Sequence, residues 1–108
     1  MNKQELLDIG IDMNLGLKNF KNNPLMYNRF LEQFITSDQH LSEANEFLKN
    51  GDETAFAEKI QGFKKSCDQF GLKECSALCD NVINEGMNAD AFDELNTKYL
   101  AIAEKFKR

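Results

Sequence analysis

The chain has 108 residues, a formal net charge of −5 and an isoelectric point near 4.8. That length suits one domain spanning 1–108, and 42% hydrophobic with 29% charged residues is ordinary for a soluble globular protein. The acidic balance argues against nucleic acid or an anionic membrane as the main partner. No apolar run approaches the ~20 residues of a membrane span, and no basic stretch followed by an apolar one opens the chain. A cytoplasmic protein is the default on these properties, and a monomer is expected.

Apolar residues recur at helical spacing almost throughout, and no segment alternates with period two. Asp12 suits the cap of a short helix carrying Leu15, Leu17 and Phe20, which ends in the turn-prone Lys21-Asn22-Asn23. Pro24 fits the first turn of the next helix, where a missing N–H costs nothing. Tyr27, Phe30, Leu31, Phe34, Leu41, Ala44 and Leu48 form its stripe. Because the stripe resumes in phase at Leu41 after the polar run Thr36 to His40, one long helix to Asn50-Gly51 is favoured.

Asp52 caps the following helix, with Glu53 complementing its dipole. Phe56, Ile60, Phe63, Cys67 and Phe70 recur four, three, four and three residues apart, and Gly71 ends the run. Leu72, Cys75, Cys79, Val82 and Ile83 mark another helix, stopped by Gly86. The last opens near Asn88 and carries Phe92, Leu95, Tyr99, Ile102 and Phe106, with Lys105, Lys107 and Arg108 at its C-terminal end. Amphipathic helices joined by short connectors predict an all-α, antiparallel up-down-up-down four-helix bundle, with the N-terminal segment covering one end.

The three cysteines, Cys67, Cys75 and Cys79, sit on apolar helical positions and read as buried thiols in a reducing compartment rather than a disulfide framework. A zinc site needs a fourth ligand, and the single histidine, His40, is distant in sequence. No metal or cofactor is expected. His40, in a polar turn with Ser37 and Asp38 nearby, reads as a surface histidine. The acidic residues fall on helix exteriors at solubilising spacing, and with one histidine no Ser/His/Asp triad can be assembled, so no enzyme is expected.

The run from Ile60 to Leu72 resembles the signature of histidine-containing phosphotransfer (HPt) domains, roughly H-x-L-K-G with a glycine six residues later. Phe63 takes the apolar position, Lys64 the lysine and Gly71 the closing glycine, while Gln61 stands where the phosphoacceptor histidine belongs and Lys65 replaces the glycine. The likeness extends over nearly the whole chain: Gly10-Ile11-Asp12 with Gly16-Leu17 and Phe20 resembles the lead-in helix, and Asn50-Gly51-Asp52 the turn before the active-site helix.

The resemblance implies an HPt fold that meets a response-regulator receiver or a sensor kinase. A phosphoacceptor needs an available lone pair, which imidazole has and a carboxamide, its nitrogen pair delocalised, lacks. Ala57, Glu58, Gln61, Lys64, Lys65 and Asp68 share one helical face and form the expected partner-binding patch. Lys64 and Lys65 would steer an acidic partner, although the Lys65 stem crowds the approach that glycine leaves open. The expected function is a pseudo-HPt protein in two-component signalling. The alternative is a helical interaction module that has left the phosphorelay.

Overall fold

A computed structural model describes residues 2–106, and every regular element among them is helical. The order is α1 (Lys3–Asp8), α2 (Met13–Leu17), a 3₁₀ turn (Lys18–Phe20), α3 (Pro24–Ser37), α4 (His40–Asn50), α5 (Glu53–Phe70), α6 (Lys73–Glu85) and α7 (Ala89–Glu104). No helix of the described residues is long and apolar enough to cross a membrane. The expected C-terminal cations fall partly on Lys107 and Arg108, which lie outside the described residues.

The helix boundaries follow local chemistry. Side-chain oxygens of Asn2, Asp12, Asn23, Asp52 and Asn88 accept backbone N–H bonds in the first turns of α1, α2, α3, α5 and α7. Pro24 occupies the first turn of α3. Gly51 and Gly71 close α4 and α5 at φ 74° and 85°, where an L side chain is strained.

The single long helix expected from Pro24 to Asn50 is in fact two. Asp38 is extended (φ −67°, ψ 136°) and separates α3 from α4. Its carboxylate accepts the His40 N–H at 3.1 Å, serving one of the orphan donors at the start of α4. Upstream, the Thr36 hydroxyl donates to the Glu32 carbonyl at 2.8 Å. Such side-chain bonds offer the backbone an alternative to the helix ladder. The interruption is short enough to leave Leu41 and Ala44 buried, so periodicity alone cannot reveal it.

The inner faces meet in one apolar core. Phe34 of α3 stacks on Phe70 (centroids 5.2 Å), and Phe63 of α5 meets Tyr99 of α7 edge-on at 4.9 Å. The Tyr99 hydroxyl donates to the Ile35 carbonyl at 3.1 Å, tying α7 to α3. Burial pushes this phenol well above its ordinary range, with the Asp38 carboxylate adding to the effect. Helix α5 packs against α4 and α6, and α6 against α7.

The segment before α3 is fastened to the C-terminal end of α5. The Asp12 N–H donates to the Gly71 carbonyl at 2.7 Å, Asn19 Nδ2 to the Gln69 carbonyl at 2.9 Å, and the Tyr27 hydroxyl to the Phe70 carbonyl at 2.6 Å. Gly16 makes this approach possible: a Cβ there would lie 2.3 Å from the Tyr27 ring and 2.7 Å from the Phe70 carbonyl oxygen.

Candidate functional site

Helix α5 buries Phe56, Ile60, Phe63, Cys67 and Phe70, which fixes the rotation of its remaining side chains. Glu58, Gln61 and Lys65 are exposed along the outer ridge. Gln61 has no side-chain hydrogen bond to any described residue, so its carboxamide is free for a partner. Lys65 likewise makes no ion pair among the described residues.

The other three expected patch residues lean toward α6. Ala57 is half-buried and lines a small cavity with Phe56, Val82 and Ile83. Lys64 Nζ lies 3.3 Å from Asp68 Oδ2 and 3.6 Å from Asp80 Oδ1. The Asp68 hydrogen bond and charge, then the charge of Asp80, hold the Lys64 ammonium above its ordinary range. Asp68 also accepts a short hydrogen bond from the Ser76 hydroxyl of α6. The six residues thus divide into an outward ridge (Glu58, Gln61, Lys65) and an α6-facing flank (Ala57, Lys64, Asp68). The charge of Lys64 is matched within the chain, leaving Lys65 as the unmatched cation of the six.

The opposite flank holds a neighbour that sequence separation concealed. Across the α4–α5 contact the His40 ring lies against Gly62, one residue from Gln61: a Cβ at Gly62 would fall 2.8 Å from His40 Nε2. His40 Nδ1 is 2.6 Å from Asp38 Oδ1, and both side chains are largely covered. An ionised Asp38 can only accept, so Nδ1 is the donor in this contact. The one signal in the sequence is Gly62 itself, a glycine in mid-helix with no turn to explain it. On the same side, Lys59 pairs with Glu43 at 3.3 Å.

The cysteines lie beneath the site and are free and fully buried. Hydrogen bonds with Cys75 and Cys79, together with burial, push the Cys67 thiol far up, which keeps it protonated. Among the described residues, no group of three or more His, Cys, Asp and Glu side chains is placed to hold a metal ion.

The arrangement offers a carboxamide donor and acceptor at its centre, one free ammonium, one carboxylate and an imidazole packed edge-on beside them. No protein-family model, curated protein or solved structure matches this chain.

Proposed function

We propose that this chain is an HPt-like, antiparallel up-down-up-down four-helix bundle whose N-terminal helical segment covers one end. Through the outer ridge of α5 it docks a response-regulator receiver or sensor kinase without accepting phosphate. The observation that carries this reading is Gln61. It stands exposed and unpartnered in mid-helix, on an element whose inner face is completely buried. A carboxamide there can donate and accept hydrogen bonds across an interface, but has no nitrogen lone pair with which to attack phospho-aspartate. The protein acts as a competitor, adaptor or modulator in the cytoplasm, needing neither metal nor cofactor.

Three measurements test this. Mixed with a phosphorylated receiver, the chain stays unlabelled, and phosphate appearing on it refutes the reading. Titrated against receivers and kinases from the same genome, it associates at micromolar affinity with at least one. The double substitution Gln61→His with Lys65→Gly restores some phosphate acceptance if α5 retains the docking register.

A second reading is a helical interaction module outside two-component signalling. The inward pairing of Lys64 with Asp68 and Asp80 favours it, because the lysine that would balance phosphoryl charge is already occupied. Absence of binding to every receiver and kinase, in a folded protein, selects this reading.

A further inference from the structure

The net charge of −5 conceals a sharp segregation. From Met13 to Leu31 there is no Asp or Glu, while Lys18, Lys21 and Arg29 are present. Setting those three positive charges apart leaves −8 on the rest of the chain. The segment also holds most of the large exposed apolar side chains: Leu25 is 83% exposed, Phe30 43%, and Leu15 and Met26 39% each. Leu25 with Arg29 and Met26 with Phe30 are four residues apart, so they form adjoining rows at the start of α3. The Phe30 ring is stacked on Phe20 and so held in place. Lys18, Lys21 and Arg29 form no ion pair with any described residue. This is an apolar knob with a basic rim.

Its complement lies elsewhere on the same molecule. Between α6 and α7 runs an open groove of about 580 Å³, lined by the apolar Ala77, Leu78 and Ala101 and by Thr97, with the charged Glu74, Glu94 and Lys98 around them. From Lys73 to Glu104 the chain carries seven acidic residues and two lysines. Lys98 is occupied by Glu74, while Glu94 has no ion pair among the described residues.

From this match we infer that the occupant of the α6–α7 groove is the α3 knob of a second copy of the chain. Leu25 enters between Ala77 and Ala101, with Lys21 and Arg29 facing the unmatched Glu94 and the net negative charge of the α6–α7 segment. A symmetric knob-to-knob dimer would set like charges face to face, which costs free energy and orients copies away from it. The contact is heterologous: each copy offers a knob to one neighbour and a groove to another, so assembly grows head to tail or closes into a ring. The inference is independent of what docks at Gln61 and departs from the monomer expected at the outset.

Sedimentation of the full chain from about 10 µM to about 1 mM tests it. The average mass rises with concentration, and raising salt from about 50 mM to about 500 mM weakens association. Leu25→Asp disables the knob at a first-turn position that tolerates an acidic residue, and Ala101→Arg fills the groove at an exposed helical position. Each variant, with an unchanged circular dichroism spectrum, self-associates at least tenfold more weakly. Mixed, the two form a one-to-one complex that grows no further, because one still has its groove and the other its knob. A wild-type chain that stays monomeric throughout overturns the inference. So does a mixture that remains monomeric, or a knob that instead binds phosphatidylglycerol-containing vesicles without self-association.

Discussion

The His40 imidazole and the Cα of Gly62 occupy the space that a larger residue at position 62 would claim. A Cβ there would sit 2.8 Å from Nε2 and 3.0 Å from Cδ2. Glycine in a helix interior costs about 1 kcal/mol relative to alanine, so its presence is offset by what it admits.

That relationship gives a double-mutant cycle. With His40 truncated to alanine, Gly62→Ala raises stability by about 1 kcal/mol, the ordinary helix gain. In the wild-type background the same change gains less or loses, because the ring is displaced from Asp38. Denaturant unfolding of the four proteins measures the coupling. Nitrogen NMR of the imidazole should show the Nδ1 proton losing its fixed partner in G62A.

The anchor at the end of α5 predicts a larger effect. Gly16→Ala drives a methyl group into the Tyr27 ring and the Phe70 carbonyl, and the carbonyl cannot swing away as a side-chain tip can. A loss of about 1–3 kcal/mol is expected, as for overpacked cores. Tyr27→Phe leaves the buried Phe70 carbonyl without its 2.6 Å donor and costs about 1–3 kcal/mol. Chemical denaturation resolves both.

Asp12 should give the fold an acid-sensitive contact. Burial opposes its ionisation, but the Leu15 amide and Lys73, 3.3 Å away, together hold the carboxyl below its ordinary 3.8. A carboxylate with a depressed folded pKa contributes stability above 3.8 and loses it as the pH falls through the folded value. Asp12→Ala therefore lowers stability by about 1 kcal/mol near neutrality. As the pH falls below 3.8 and through the lower folded value, the wild-type and variant unfolding curves draw together.

At the α5 ridge the two lysines should behave differently toward an acidic partner. Lys65→Glu places a negative charge where an unmatched cation stood, and weakens binding about tenfold while reducing its salt dependence. Lys64→Glu also breaks the arrangement with Asp68 and Asp80, so its effect includes a local rearrangement of the α5–α6 contact. Association rates at two ionic strengths separate them: the Lys65 change acts on the on-rate, and a Lys64 effect greater than that of Lys65 contradicts the placement.

Much of the fold was legible because its signals are local. Asp12, Pro24, Asp52 and Asn88 start helices and Gly51, Gly71 and Gly86 stop them at the positions their chemistry requires. Period 3.6 selected the buried face of α5 residue by residue. Phe30 shows the limit, since it belongs to the apolar stripe yet is 43% exposed at the edge of the core. The Asp38 break was missed because the two helices resume in phase. Of the candidate patch, exposure of Glu58, Gln61 and Lys65 follows from rotation about the α5 axis, whereas the turning of Lys64 and Asp68 depends on Ser76 and Asp80 of another helix.

Composition and spacing by themselves determined the helical class of the chain, the rotation of α5, and the hydrogen-bonding carboxamide displayed at Gln61. Those properties depend on contacts within one or two turns and on the side chain itself. Tertiary structure alone decided that His40 stands beside Gly62, that Lys64 pairs with Asp68 and Asp80, and that an open groove lies between α6 and α7. Each of these joins residues from different helices, and helical periodicity carries no information about which neighbour a given face will meet.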